Sequence, residues 1–318
     1  MADREQITII SDSRLLEHDT GGGEHPEVPE RLEVINHSLA SSALAPFLDY
    51  EQPLPATREQ LLSFHAEAWL FRFEESVLSG RTYIDHTDNQ IGYESFDIAM
   101  LSAGTGISGI DLLEGKKAEN VFCLTRPPGH HAEPNMPFGF CFFNNCVVAA
   151  RHWQRCGRQR VCVFDFDAHH GNGIQTGFEE DADTLYISIH EHPSFSYPGT
   201  GWAEEHGTGA GMGKILNLPL NPGAGDFQVL NLLNGPIQDI LDEFKPQAII
   251  IAAGFDAHRS DDMSGLNYST ELYQQLGHRI KTWERSFCPG SLLSILEGGY
   301  DLESLADSVE AYLTGFLD

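Results

Sequence analysis

Six short apolar runs, rich in β-branched residues, recur along the chain, and each stops abruptly at polar or glycine residues. They are ITIISD (7–12), VFCLTRPPGHH (121–131), VCVFDFDAHHG (161–171), LYISIHEH (185–192), AIIIAAGFDAH (248–258) and LLSILEGGYD (292–301). Helix-like stretches lie between several of them, at 97–113, 144–156, 226–244 and 269–285. Near-continuous apolar strands that alternate with helices predict an α/β fold. We expect a single domain over residues 1–318, with a central, mainly parallel sheet and helices on both faces.

Polar clusters fall at the ends of five of these runs. They are His130–His131, Asp165 to His170, Ser188 to His190, Asp256 to His258 and Gly298 to Asp301. In open α/β sheets, ligands bind beyond the carboxyl ends of the strands. The five clusters are therefore expected to meet in one active site. Asp226 is the expected N-cap of the third helix-like stretch, and Ser269 or Thr270 that of the fourth.

Acidic residues far outnumber basic ones, with 47 Asp and Glu against 19 Lys and Arg and a formal net charge of -28. A field of this sign repels nucleic acid and anionic membranes and favours cationic ligands. Direct nucleic-acid binding and membrane binding are therefore not expected. The same acidity also fits a surface adapted only for solubility.

The start of the chain, MADREQITII, has neither an apolar core nor a small-residue cleavage site, so no secretory signal is expected. We also expect no stretch with the apolar length of a membrane span. The six cysteines form no CxxC pair and no regular framework. This usage is typical of reduced thiols in a cytoplasmic protein. The sequence does not indicate an oligomeric state.

The segment VFDFDAHHG carries Asp165, Asp167 and His169 at intervals of two residues. On a strand, this spacing places all three side chains on one face. Neighbouring carboxylates at the end of a buried strand repel each other unless a cation balances them. Aspartate and histidine suit zinc or ferrous iron, and Asp256 offers a third ligand from another run. Three protein ligands leave a position open for water, as in a catalytic zinc site.

Two further motifs supply groups for acid–base chemistry. His130 and His131 follow a Pro-Pro-Gly turn, which lets both adjacent rings reach one pocket and divide general-base and general-acid work. Tyr300 follows two glycines that permit a backbone bend, and its hydroxyl can donate to a developing oxyanion.

Taken in order, these motifs resemble the zinc-dependent histone deacetylase family. The segments that carry the resemblance are HPEVPERL (25–32), RPPGHHAE (126–133), GFCFFNN (139–145), DFDAHHGNG (165–173), PGTG (198–201), AGFDAH (253–258) and LEGGYD (296–301). GFCFFN and HHGNG are more similar to the class II branch and its bacterial relatives than to class I. The family includes acetylpolyamine amidohydrolases and has an arginase-like α/β fold.

The resemblance implies a role for each matching residue. The zinc ligands would be Asp167, His169 and Asp256, with ferrous iron possible in the cell. The catalytic residues would be His130 and His131, with Asp165 and Asn172 behind them, and Tyr300 as the oxyanion donor. Potassium would bind near Asp165, Asp167, His169, Ser188 and Ile189. The substrate would contact Gly139, Phe140, His170, Tyr197 and Met263, and Arg31 would lie deep behind the zinc.

Three positions depart from the patterns of the family. Class I members have an aspartate at the position of Asn172, so the second histidine is expected to be less basic here. Phenylalanine is usual at Tyr197. Polyamine-selective relatives tend to have an acidic residue at Met263, which lowers the expectation of polyamine selectivity, although Asp88, Asp261 or Asp262 can supply an acid instead.

The expected activity is hydrolysis of an acetyl or short acyl amide, with acyl-lysine in a cationic protein or peptide as the favoured substrate. One alternative is deacetylation of acetylpolyamines or other small acetylated amines. A more distant alternative is a catalytically inactive module that binds acyl-lysine. The presence of His130, His131 and Tyr300 together with three metal ligands argues against an inactive module.

Overall fold

The computed structural model describes residues 6–21 and 25–318, so the first five residues, where the absence of a leader was expected, lie outside the described part. Its strands are β1 (Ile7–Ile10), β2 (Leu48–Glu51), β3 (Tyr83–Ile84), β4 (His86–Gln90), β5 (Asn120–Cys123), β6 (Val161–Asp165), β7 (Thr184–Glu191), β8 (Ile215–Leu220), β9 (Ala248–Ala253) and β10 (Leu292–Leu296). Eight of them form one sheet in the order β2-β1-β5-β10-β9-β6-β7-β8, with every neighbouring pair parallel. β3 and β4 form a separate antiparallel hairpin.

Helices cover both faces of the large sheet. They are α1 (Glu30–Ser41), α2 (Arg58–Leu61), α3 (Glu67–Leu78), α4 (Ser95–Glu114), α5 (Asn145–Arg155), α6 (Asn172–Phe178), α7 (Asp226–Asn234), α8 (Pro236–Phe244), α9 (Thr270–Phe287) and α10 (Leu302–Leu317). Side chains alternate along each strand: Phe164 packs in a core with α1 and α7 to α10, whereas Val163 packs with α5 and α6 on the other face. The predicted α/β fold is therefore confirmed.

Two edge strands of the sheet were missed by sequence reasoning. β2 is LDYE, with three exposed residues, and β8 is ILNLPL, with Pro219 in its interior. An edge strand needs only one fully paired side, so it tolerates polar residues and a proline that cannot donate to a ladder. Neither segment therefore has the continuous apolar pattern that identified the central strands.

The stretch 226–244, expected as one helix, is two. Gly235 ends α7, and Pro236 begins α8, because proline is favoured in the first turn of a helix and disfavoured in its interior. Asp226 is not the N-cap: Gly225 holds that position, and the Asp226 carboxylate accepts hydrogen bonds from the backbone and hydroxyl of Ser269. Ser269 caps α9 as expected, since its hydroxyl accepts from the Leu272 N–H at 3.2 Å.

α4 corrects the expectation that no stretch has the apolar length of a membrane span. It is the one helix in the described part of the chain that is long and apolar enough, by length and composition alone, to cross a membrane. However, 72% of its apolar window is buried inside the protein. It packs against α5, β5 and α3, and a Cβ at Gly104 would lie only 2.0 Å from the Leu54 carbonyl oxygen. Such all-round burial is typical of a core helix.

Candidate active site

The polar clusters meet because the strands that precede them are in register. Asp165 at the end of β6 lies level with Ser188 in β7 and with Ala252 in β9. β10 and β5 are aligned in the same way. The segments that follow the neighbouring strands β5, β10, β9 and β6 therefore all leave the sheet at its carboxyl-terminal side. Two residues of the expected clusters lie apart from the site. His258 bonds to the Thr270 hydroxyl, and Asp301 caps α10 by accepting from Ser304.

Asp167, His169 and Asp256 bring three metal-ligating atoms together. Nδ1 of His169 lies 2.9 Å from Oδ2 of Asp256 and 3.2 Å from Oδ1 of Asp167. All three candidate ligand atoms lie within 4.8 Å of one another. The strand argument for this grouping was wrong, because β6 ends at Asp165 and the next residues form a loop. Backbone hydrogen bonds fix the loop instead: Asp167 N–H donates to Asp165, and His169 N–H donates to Asp167.

The electrostatics of this group suit a divalent cation. Asp167 and Asp256 are completely buried and both face the imidazole of His169, and the ring of His130 is a second imidazole beside Asp167. Burial, together with the charge of Asp167, raises the pKa of Asp256 to about 6. Two buried carboxylates are costly unless a positive charge balances them. The backbone of Gly298 packs closely against them, and no larger residue fits there, since a Cβ would lie 2.5 Å from an Asp256 oxygen. Two oxygens and one nitrogen form a donor set that zinc accepts.

His130 is held by a carboxylate. Its Nδ1 lies 3.2 Å from Oδ2 of Asp165, which also accepts a 3.0 Å hydrogen bond from the Tyr186 hydroxyl. Its Nε2 lies 3.9 Å from Asp167. Burial alone would lower the pKa of His130, but the charges of Asp167 and Asp165 outweigh burial and raise the pKa to about 10. These carboxylates therefore favour the protonated form of His130.

His131 is held by a neutral amide. Its ring centroid lies 3.9 Å from that of His130, and its Nδ1 lies 2.8 Å from Oδ1 of Asn172. The Asn172 amide in turn donates to the Glu133 carboxylate at 2.6 Å. Burial lowers the pKa of His131 well below its usual value, and the charge of His130 lowers it further. His131 is therefore neutral, with Nε2 free to accept a proton when Nδ1 donates to Asn172.

A cavity of about 230 Å³ opens onto these groups. Its lining residues are Asp88, His131, Gly139, Phe140, His169, Tyr197, Met263 and Tyr300. Of the five residues expected to contact substrate, His170 is the one that does not line the cavity. The His170 ring is buried, and its two nitrogens lie 2.8 Å from the Thr200 hydroxyl and 3.0 Å from the Gln175 side chain.

Tyr300 lies in a turn that other elements hold in place. Its backbone N–H donates to Asp261 at 2.6 Å, and the Arg31 guanidinium lies 5.0 Å from the centre of its ring. Arg31 also donates to the carbonyls of Gly299 and Glu297, and these bonds stabilise the turn. Burial raises the pKa of the Tyr300 hydroxyl well above its usual value. At neutral pH the hydroxyl is therefore a hydrogen-bond donor.

The expected potassium residues include Asp167 and His169 of the metal group and two residues of β7. Ser188 and Ile189 are buried in β7, and Ser188 is level with the buried carboxylate of Asp165. The Ser188 hydroxyl shares a 2.7 Å hydrogen bond with His190.

Sequence reasoning missed several residues that position the site. Glu297 is completely buried and accepts from the backbone N–H groups of Gly129 and His130, which fixes the turn before the histidine pair. Asn89 accepts from the Phe140 N–H at 3.1 Å, where Phe140 has a positive φ of 68°. Glu133 and Glu297 lie within the quoted motifs, and for Glu297 the available signal was a lone acid directly after an apolar run. Nothing in the local sequence indicated Asn89.

Comparisons with known proteins indicate the family of the chain. A family model described as "Histone deacetylase domain" matches residues 25–316. "Histone deacetylase 14, chloroplastic" from Arabidopsis thaliana is 37% identical, covering 95% of this chain and 74% of that protein. "Histone deacetylase-like amidohydrolase" from Pseudomonas aeruginosa is 36% identical, covering 87% and 72%. A crystal structure of the HDA15 HD domain matches with a TM-score of 0.91 and 31% identity, covering 98% of this chain and 90% of that one.

These matches extend over nearly the whole chain and include both its sequence motifs and its sheet. The arginase-like or deacetylase-like fold and the amide-hydrolase class expected from the motifs are confirmed at the level of the family. The chain belongs to the histone deacetylase family.

Proposed function

We propose that the protein is a zinc-dependent amidohydrolase that removes an acetyl or short acyl group from lysine side chains in proteins or peptides. The observation that carries the proposal is the cavity. It is walled by the aromatic rings of Phe140 and Tyr197 and ends at His131, His169 and Tyr300, beside two buried carboxylates.

Asp167, His169 and Asp256 are the residues that would hold zinc, or ferrous iron in the cell. The bound ion supplies a Lewis acid that polarises the acyl carbonyl and makes water more acidic. A potassium ion beside Asp165, Ser188 and Ile189 remains part of the proposal, because the Asp165 carboxylate is completely buried next to the β7 backbone.

The side chains of the protein divide the remaining chemistry. Neutral His131 accepts a proton from the attacking water, because its Nδ1 is engaged by Asn172 and its ring lines the cavity. The Tyr300 hydroxyl donates to the oxygen on which negative charge develops. The proton on His131 then passes to the amine nitrogen as the C–N bond breaks, so amide and water yield a carboxylic acid and an amine, which exchange one proton to become a carboxylate and an ammonium. His130 stays protonated and stabilises the anionic intermediate.

The shape and charge of the cavity support acyl-lysine as the substrate. Its aromatic walls fit the neutral methylenes of an acylated lysine, and Gly139 borders the same space, where its carbonyl can accept the amide N–H. The acidity of the chain favours substrates that carry further positive charges.

Deacetylation of acetylpolyamines is the second candidate, and Asp88 is the observation that favours it. Asp88 lines the cavity, so its carboxylate can attract a distal ammonium. Asp261, the other acid considered for this task, is buried and accepts three backbone N–H groups from Met263, Tyr300 and Asp301. Asp262 is exposed and does not line the cavity.

Comparing kcat/KM for an acetyl-lysine peptide, acetylputrescine and acetylspermidine separates the two candidates. We expect the peptide to be processed at least as well as either polyamine. Met263→Glu should shift the ratio toward polyamines by about tenfold, and Asp88→Asn, which removes a charge at the same cavity, should shift it away from them. A preference of the unmodified enzyme for acetylputrescine by tenfold or more would replace the first candidate with the second. No turnover of any of these substrates would instead support an inactive binding module.

A further inference from the structure

A second group of metal-ligating side chains lies on the surface, where the ends of α4 and α5 pack together. It consists of Asp111 in the last turn of α4, His152 in the last turn of α5, and Cys156 directly after α5. Its candidate ligand atoms all lie within 4.8 Å of one another. None of the three residues lines the cavity or takes part in the chemistry proposed above.

The His152 ring lies close to both of the other donor atoms. Nε2 of His152 lies 2.8 Å from Oδ1 of Asp111 and 3.9 Å from Sγ of Cys156. Zinc binds nitrogen or oxygen at about 2.0 Å and sulfur at about 2.3 Å, so tetrahedral ligands lie roughly 3.3–3.7 Å apart. The first observed distance lies below this range and the second just above it, so small rotations of the side chains would bring the atoms into coordination geometry. His152 and Cys156 are four residues apart and therefore share one side of the helix, while Asp111 approaches from the neighbouring helix.

The helix ends beside this group favour a cation. Both helices end here, and the carboxyl end of a helix carries a partial negative charge. The Asp111 side chain is 64% exposed and has the His152 ring as its partner. The nearby guanidinium of Arg158 is already paired with Glu114 at 2.8 Å, so it does not have to be displaced by an ion.

We propose that Asp111, His152 and Cys156 form a second metal site, which takes zinc or another divalent ion of similar softness. Sulfur and imidazole nitrogen favour such ions over calcium and magnesium, which prefer oxygen ligands. Binding replaces the thiol proton of Cys156 with the ion, so a proton is released to solvent. Water completes the coordination, because the site is open on its outer side. The bound ion ties the end of α4 to the end of α5.

Cobalt(II) is a suitable probe, because a cobalt–thiolate bond adds a charge-transfer absorption band in the near ultraviolet. The catalytic set proposed above contains no sulfur, so this band reports the surface site alone, whether or not the proposed function holds. The chelator-treated, reduced protein should develop the band at micromolar cobalt. Cys156→Ser should abolish the band, and His152→Gln should weaken cobalt binding. His37→Gln, which removes an exposed imidazole from α1, should leave the band unchanged.

Protection of the thiol gives a second readout on the unmodified chain. All six cysteines lie in the described part of the chain, and Cys156 is the one that is exposed. Micromolar zinc should therefore slow the reaction of the folded protein with a thiol reagent, and His152→Gln should remove this protection. A missing band, a band that persists in Cys156→Ser, or a requirement for millimolar metal would overturn the proposal. So would a thiol whose reactivity zinc does not change.

Discussion

The two adjacent histidines of the active site share a turn and a pocket but have opposite surroundings. His130 bonds to the buried carboxylate of Asp165, whereas His131 bonds to the neutral amide of Asn172. The pKa of His130 is raised to about 10 by neighbouring carboxylates, and that of His131 is lowered well below its usual value by burial and by the charge of His130. The surroundings thus favour the cation at one position and the neutral base at the next.

In the proposed mechanism, this difference assigns the roles of the pair through the groups behind each ring. A permanent cation stabilises negative charge but cannot accept a proton, whereas a neutral imidazole can. The hydrogen-bond chain behind His131 also includes a third residue, because the Asn172 amide donates to the Glu133 carboxylate. The comparison leads to the following predictions, in order of decreasing effect.

Replacing His131 should have the largest effect. His131→Ala removes the neutral imidazole that lines the cavity, and we expect kcat/KM for an acetyl-lysine peptide to fall about 10³–10⁴-fold, the upper part of the range for general acid–base catalysis. Metal content and the thermal midpoint serve as controls and should stay near those of the unmodified protein. A fall of less than tenfold would remove His131 from the role of base.

Removing the hydroxyl of Tyr300 tests a group that bonds to neither Asp165 nor Asn172, the residues behind the two histidines. Tyr300→Phe keeps the ring over which Arg31 lies, and kcat should fall roughly 10²–10³-fold, the usual cost of one oxyanion donor. KM and metal content are measured alongside and should change little. An unchanged kcat would exclude the hydroxyl from the mechanism.

Replacing His130 should cost less than replacing His131. His130→Ala removes a buried cation that stabilises charge without transferring the proton, and we expect a fall in kcat/KM of about 10–10²-fold. Steady-state kinetics of both alanine variants, measured side by side, make the comparison direct. If the two variants fall equally, or if His130→Ala falls further, the division of roles is wrong.

Giving His131 a carboxylate partner like that of His130 should shift the pH profile of kcat/KM and change little else. Asn172→Asp places a carboxylate beside His131, which raises the pKa of the imidazole. Because the base must be neutral, kcat/KM rises with pH through this pKa, so the acidic limb should move to higher pH by about one unit. Glu133→Gln removes the negative charge that Asn172 contacts on its other side, and it should move the acidic limb slightly to lower pH. A limb that stays in place in both variants would show that Asn172 does not tune His131.

Sequence reasoning reached the residues of the site better than it reached their contacts. Asp167, His169, Asp256 and the histidine pair were identifiable because polar residues at the end of a buried apolar run are rare and costly. Which residue lies behind which ring depends on loop paths, so the contact between Asn172 and Glu133 and the burial of His170 were not predictable. The edge strands β2 and β8 were missed for a related reason, since partial exposure removes the apolar pattern that identifies a strand.

The central claim is that amide hydrolysis depends on a metal ion held by Asp167, His169 and Asp256. The most direct test measures acetate release from an acetyl-lysine peptide by the Cys156→Ser variant, which lacks the proposed surface site, after chelation and again after zinc is returned. We predict that chelation abolishes turnover, that a single equivalent of zinc restores it, and that adding Asp256→Asn prevents both zinc binding and recovery. Full turnover by the metal-free protein, or recovery in the presence of Asp256→Asn, would contradict the account.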